Sequence, residues 1–229
     1  MPPPADAPSR SLPTPRPPRP FWVVLTAGCA VLGVIGFALV TLAIYGHGPL
    51  LEVDVHVQER FARHRVRWLI HLLDAETQTA AYVTGSAVLL LVASVVAVVE
   101  RAWRPLLMAL TAVALLGISV GAGKQMIGRS RIPFAVDTFG AGGTSYPSGH
   151  MTTAVVVSGC LVLLFARRMS QRVRRLLLVA VAGYSLVTGF SRIYLHDHWF
   201  TDVLAGWFLG TAIVCLVALM FLRQPSTRA

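Results

Sequence analysis

Apolar residues come in long unbroken blocks along this chain, and the polar residues gather between them. Phe21 to Tyr45 is an uncharged block of 25 residues. It is too long for the core of a cleaved signal, about 7 to 15 residues, and has no small-residue cleavage site, so it reads as a first membrane-crossing helix. Ala80 to Val99 and Pro105 to Ala122 repeat the pattern, separated by the charged turn from Glu100 to Arg104. Met151 to Ala166 and Leu176 to Phe190 are shorter blocks, and their helices are expected to extend into the flanking polar residues to cross. Trp199 to Leu222 closes the series, interrupted early by Asp202. The blocks predict an all-α, polytopic membrane protein with six transmembrane helices.

Two connections are long. In Gly46 to Gln78, charged residues of both signs accompany Val66, Leu69, Ile70 and Leu73 at helical spacing. That predicts an amphipathic helix lying along the membrane surface. His47, His56, His64 and His71 fall in the same segment without a metal-ligand spacing and are read as ordinary interfacial side chains. Lys124 to Gly149 is polar and glycine-rich, and a connection of that length is commonly functional. The domain reading is a proline- and arginine-rich cytoplasmic tail over 1–20, a single membrane domain over 21–222, and a short cytoplasmic tail over 223–229. The first tail holds nine of the 14 prolines and cannot bury a core.

Composition narrows the class. The 229 residues are 55% apolar and only 13% charged, below the charge of an average soluble domain. The net charge of +10 could serve nucleic acid or an anionic membrane face. No basic patch is interleaved with aromatics, so nucleic acid is set aside as a partner. Cys29, Cys160 and Cys215 all lie inside apolar blocks and give neither a disulfide framework nor a zinc spacing.

Charge also sets the expected orientation. Six crossings place both termini on one side. That side carries Arg10, Arg16 and Arg19, the turns with Arg101, Arg104, Arg167, Arg168, Arg172, Arg174 and Arg175, and finally Arg223 and Arg228. The opposite side carries fewer cations, several of them balanced by acids. The positive-inside rule therefore puts both termini in the cytoplasm and the 124–149 and 192–198 connections outside.

Those two connections hold the candidate chemistry. Ser191 to Asp202 packs Arg192, His196, Asp197, His198 and Asp202 between apolar blocks, where ionisable groups are expensive and usually functional. His198 and Asp202 are four apart. If the last helix extends back to His198, they share a face, and the carboxylate can hold one ring nitrogen while the other stays free as nucleophile or base. Upstream stand Lys124, six residues, then Arg131, and Pro147-Ser148-Gly149-His150 at the head of the fourth block. Lys124, Arg131 and Arg192 could neutralise a phosphoryl group's oxygens, and Ser148 and Gly149 would offer a hydroxyl and backbone N–H groups at a helix start. Ser148 could equally serve only as a helix cap, and Lys124 and Arg131 only as interfacial anchors. Arg129 and Asp137 read as loop solvation or ion pairing.

Together, in this order, the three motifs resemble the signature of the type 2 phosphatidic-acid phosphatase superfamily, membrane lipid phosphatases related to vanadium haloperoxidases. The first motif departs from the usual form, since Ile132 separates Arg131 from Pro133. The resemblance implies that His198 is a nucleophile forming a phosphohistidine and that Asp202 orients it. It implies that His150 is the general acid that later activates water, and that no metal or other cofactor takes part. The expected activity is hydrolysis of a lipid phosphate or diphosphate at the extracytoplasmic surface, with undecaprenyl diphosphate as first substrate and phosphatidylglycerophosphate or phosphatidate as the alternative. A reading of another class is a non-catalytic lipid transporter or anion-binding membrane protein that uses the same cations. His196 and Asp197 beside His198 do not have the spacing of a metal-binding helix pair.

Overall fold

The computed structural model describes residues 20–132 and 143–222. They form eight α-helices: α1 Pro20–Tyr45, α2 Leu50–Ala62, α3 Arg67–Thr79, α4 Tyr82–Glu100, α5 Arg104–Ile127, α6 Gly149–Phe165, α7 Gln171–Tyr194 and α8 Phe200–Leu222. No strand occurs among the described residues, and the chain is an all-helical, polytopic membrane protein. Five helices, α1, α4, α5, α7 and α8, are long and apolar enough to cross a bilayer. The fourth block forms α6, which at 17 residues is shorter than these.

Burial explains why α6 can be short. It is the central helix, with an almost continuous buried stretch from Met151 to Val162, enclosed by α4, α5, α7 and α8. Leu89 and Ala93 of α4, Ala112 and Leu116 of α5, Val156 and Cys160 of α6, and Ile213 and Val217 of α8 meet in the main core. The outward faces of α1, α4, α5 and α7 leave Val24, Leu39, Leu91, Val98, Ile118 and Val179 exposed, as lipid-facing surfaces require. A tight approach near the site is at Gly206 of α8. A Cβ there would lie 2.7 Å from the Ser148 carbonyl oxygen, so only glycine lets α8 lie this close to the start of α6.

Two helix limits differ from the sequence expectation in ways that matter. α5 runs five residues beyond Ala122 to Ile127 and ends at Gly128 in a left-handed conformation, φ 59°. Lys124 therefore belongs to the last turn of a helix and not to a loop. α8 begins at Phe200, so His198 lies outside it rather than on its first turn.

The 46–78 segment forms two helices, α2 and α3. The buried positions of α2 are polar, Asp54 and Gln58, while Val53 and Val55 are exposed. α3 turns Leu73 and Thr77 inward. The loop between them is pinned by Tyr194, whose hydroxyl accepts from Val66 N at 2.7 Å and donates to the His64 carbonyl at 3.0 Å. Phe61, Phe190 and Tyr194 pack ring against ring beneath it. Pro133 and Asp137 lie outside the described residues, as do residues 1–19 and 223–229.

Candidate active site

Three separate parts of the chain meet in one cavity of about 580 Å³ at the end of the bundle where α5 finishes and α6 begins. Lys124, Arg131, Gly149, His150 and His198 line it, and Tyr82, Leu116, Val120 and Thr153 continue its wall into the helices. The other three candidates stand behind this lining. Ser148, Arg192 and Asp202 are buried, and each holds a lining residue or a helix end in place.

Ser148 is the N-cap of α6. Its Oγ accepts from Met151 N at 3.4 Å, and its own N–H donates to the Asp202 carbonyl at 3.0 Å. The cap positions the first turn of α6, where Gly149 and His150 face the cavity with the positive end of the helix dipole. The capping contact that the sequence allowed for Ser148 is present.

The 192–202 turn is held by its own backbone and by α2. Asp197 N and His198 N both donate to the Arg192 carbonyl, at 3.1 and 3.2 Å, and His196 takes a left-handed conformation, φ 62°. Gln58 of α2 donates through Nε2 to the His198 carbonyl at 2.9 Å, while its Oε1 lies 2.5 Å from His196 Nδ1. His196 is thereby engaged in structure. Asp197 pairs with Arg192 Nη2 at 2.7 Å and lies 4.0 Å from Arg131 Nη1, so one carboxylate faces two of the cations. Arg192 also donates through Nη1 to Thr77 Oγ1 at 2.8 Å. Lys124 Nζ donates to the Thr144 carbonyl at 2.5 Å. No group of three or more His, Cys, Asp or Glu among the described residues is arranged to hold a metal ion.

His198 Nδ1 stands 3.6 Å from Asp202 Oδ2, an ion-pair distance beyond a hydrogen bond. Asp202 Oδ2 instead accepts from Trp199 N at 3.0 Å, reaching back over the helix start in the manner of a capping-box carboxylate. The sequence expectation of a shared helical face is corrected accordingly: the same four-residue spacing works because Asp202 caps the helix that His198 precedes. Burial pushes the His198 imidazole down to about 4, with Asp202 opposing the shift and Arg192 adding to it. The ring is thus held neutral, its nucleophilic form.

A buried network behind Asp202 was not legible in the motifs. Arg129 donates through Nη1 to Asp202 Oδ1 at 2.8 Å and to Thr201 Oγ1 at 2.7 Å, and through Nη2 to Asp54 Oδ2 at 2.7 Å. Asp54 Oδ1 accepts from Thr201 N at 2.8 Å, and its Oδ2 from Thr201 Oγ1 at 2.6 Å. The Arg129 guanidinium also lies 5.1 Å from the Trp199 ring centre. Arg129 therefore makes ion pairs, one of the two roles its loop position allowed. Asp54 and Gln58 on a charged amphipathic helix gave no signal separating them from a solvated face.

The cavity thus combines cations able to bind an anion, a helix N-terminus, and a neutral imidazole backed by a carboxylate. Comparison with known proteins finds relatives of the chain. A family model described as the PAP2 superfamily matches residues 105–226. A lipid A 1-phosphatase from Porphyromonas gingivalis is 34% identical over 117 residues, covering 50% of this chain but only 23% of that protein. The crystal structure described as the first transmembrane PAP2 type phosphatidylglycerolphosphate phosphatase, from Bacillus subtilis, superposes with a TM-score of 0.78 at 22% identity, over 87% of this chain and 98% of that one. With more than half of its length matched by the family model, and all three motif segments inside or beside that match, the chain belongs to the PAP2 superfamily.

Proposed function

We propose that this protein is an integral membrane lipid phosphatase that works through a phosphohistidine on His198. The observation that carries the reading is the convergence of Lys124, Arg131, Gly149, His150 and His198 on one cavity, with Asp202 at the back of His198. Phosphoryl transfer needs little beyond positioning and neutralisation of charge on the transferred oxygens. Lys124, Arg131 and the N–H groups at the start of α6 face that task directly, while Arg192 contributes from behind.

The steps use this chain's own groups. With Nδ1 turned to Asp202, Nε2 of His198 attacks phosphorus. The bond from phosphorus to the leaving oxygen breaks, that oxygen being the lipid's own in a monophosphate and the bridging one in a diphosphate, and His150 donates a proton to it as it leaves. His150 then takes a proton from water, the resulting hydroxide attacks phosphorus, and the bond to Nε2 breaks to release phosphate. Charge neutralisation comes from side chains, so the reaction is proposed to need no metal.

The wall formed by Leu116 and Val120 gives the lipid tail an apolar surface next to the head-group site. Lipid phosphates and diphosphates are the substrate class. Undecaprenyl diphosphate and phosphatidylglycerophosphate or phosphatidate are the members to compare, the names borne by the two relatives supporting lipid phosphates in general. α6 serves as the sixth crossing within one membrane domain over 21–222. Both termini lie in the cytoplasm and the cavity opens outside, since the arginine-rich turns at 101–104 and 167–175 lie at the other end of the helices.

The test is phosphate release from a panel of these lipids by purified protein, with and without a chelator, for wild type, His198→Asn and His150→Ala. Release that falls at least a hundredfold in both variants and survives the chelator is expected. Wild-type turnover by either variant would remove the mechanism, chelator-sensitive turnover would remove its metal independence, and lipid translocation without phosphate release would favour the transporter reading.

A further inference from the structure

A second cavity, of about 200 Å³, lies at the opposite end of the bundle from the catalytic one. Arg104, Arg167 and Arg168 line it beside Glu100, and Leu163, Leu164 and Phe221 belong to its apolar wall. Arg104 and Lys124 stand near the two ends of α5. The roughly 20 residues between them span about 30 Å, the thickness of a bilayer's hydrocarbon core. The two cavities therefore face opposite leaflets, and a lipid seated in this one does not occupy the catalytic site.

The arginines are only partly engaged by the protein. Arg104 donates through Nη2 to the Phe221 carbonyl at 2.9 Å, holding the start of α5 to the end of α8. Arg168 pairs through Nη2 with Glu100, and Arg167 makes no side-chain hydrogen bond or ion pair with the described residues. Three guanidinium groups thus meet one carboxylate, and the excess positive charge borders an apolar wall. The depth is that of lipid head groups. Trp103, 76% exposed, stands on the same turn as Arg104, and the Arg174 guanidinium lies 5.4 Å from the Trp22 ring centre at this end of the bundle. With 17 residues, α6 spans only about 25 Å. It stops short of the full hydrocarbon thickness, and the cavity lies at its end.

A guanidinium fork matches two phosphate oxygens, and a basic pocket between membrane helices is suited to an anionic head group. A choline head group would instead set its own cation against the arginines. We propose that this cavity is a second lipid site, holding the phosphodiester of an anionic glycerophospholipid on Arg104, Arg167 and Arg168, with its acyl chains against Leu163, Leu164 and Phe221. Such a lipid carries no phosphomonoester for the catalytic cavity to remove. It is a bound companion of the helix bundle and not a substrate.

The test is native mass spectrometry of the purified full-length protein, delipidated in neutral detergent and titrated with phosphatidylglycerol or phosphatidylcholine of the same acyl chains. Wild type is expected to bind phosphatidylglycerol at least about tenfold more tightly. One arginine near a head group accounts for roughly fivefold, so Arg167→Gln should lower the preference by about that factor and Arg167→Lys should keep most of it. Arg167→Gln/Arg168→Gln should bring the two lipids within about twofold of each other. Arg172→Gln/Arg175→Gln removes the same charge at the same end but outside the cavity, and should leave the preference within about twofold of wild type, as should Lys124→Gln/Arg131→Gln in the catalytic cavity. Equal binding of the two lipids by wild type, an equal loss in the Arg172→Gln/Arg175→Gln variant, or a loss confined to the Lys124→Gln/Arg131→Gln variant would overturn the assignment. Inorganic phosphate bound as tightly as phosphatidylglycerol would overturn it too, by making the cavity a site for a free anion.

Discussion

Replacing Asp54 by asparagine tests the buried network most sharply, because it keeps the shape of the side chain and removes only its charge and one acceptor. Asp54 receives three donors, from Thr201 N, Thr201 Oγ1 and Arg129 Nη2, all within 2.8 Å. An asparagine carbonyl can serve one side of that set, and its NH₂ then faces a donor on the other. Losing a buried partner of an ion pair outright costs about 3–5 kcal/mol. Arg129 keeps Asp202 at 2.8 Å, so the lower figure for a charge-assisted hydrogen bond, about 2–3 kcal/mol, applies. On the scaling for domains of this size, that lowers Tm by roughly 4–12 °C.

Activity should fall as well. With Asp54 neutral, the full charge of Arg129 bears on Asp202 and weakens the carboxylate's support of positive charge on His198. A loss of about 1.4 kcal/mol in that support is a tenfold drop in kcat. Because Asp54 does not line the cavity, KM should stay within about twofold. Thermal unfolding in detergent and steady-state phosphate release measure the two effects. The double variant Asp54→Asn/Arg129→Gln should lose less than the sum of the single losses, as expected of groups that act as a unit. A wild-type Tm and kcat for Asp54→Asn, or strictly additive losses, would refute the reasoning.

Further outcomes follow from individual contacts. The folded value of His198, about 4, lies below the ordinary 6.5. The unfolded chain therefore binds the proton first, and this group weakens the fold as pH falls from about 6.5 to 4 while contributing no pH dependence above 7. Imidazole ¹⁵N shifts should accordingly show His198 neutral at pH 6, and a midpoint near 6.5 would contradict its burial. Gly206→Ala forces a Cβ against the Ser148 carbonyl and should lose about 1–3 kcal/mol of stability, read by thermal unfolding; an unchanged Tm would deny that close approach. Gln58→Leu removes the donor to the His198 carbonyl and the partner of His196, and should lower kcat several-fold while Gln58→Glu retains one of the two contacts. Equal kcat in wild type and Gln58→Leu would make α2 a bystander.

Much of this architecture could be read from the chain because lipid imposes a simple rule on it. Blocks such as Phe21–Tyr45 and Pro105–Ala122 must be helices, since nothing else satisfies backbone polar groups in hydrocarbon. Lys124, Arg131, His150 and His198 were conspicuous for the same reason, being ionisable groups at block edges. Asp54 and Gln58 were hidden by the converse argument. On an amphipathic surface helix, acids and amides are expected outside, and only tertiary packing of α2 against the 196–202 turn sends them inward. Arg129 was masked by its neighbour Arg131, since spacing alone does not tell a guanidinium that faces a cavity from one that pairs with carboxylates behind it. The limit of α5 was missed because Gly123 and Lys124 look like a loop, whereas the left-handed Gly128 is the actual stop.

The most direct test of the central claim is to find the phosphoryl group on the protein. Wild-type enzyme turning over ³²P-labelled lipid phosphate, quenched in alkali to preserve phosphohistidine and digested for mass spectrometry, should carry label on His198 through nitrogen, and His198→Asn should carry none. Label on another residue, or sustained phosphate release with no phosphoryl-enzyme at any time point, would contradict the account.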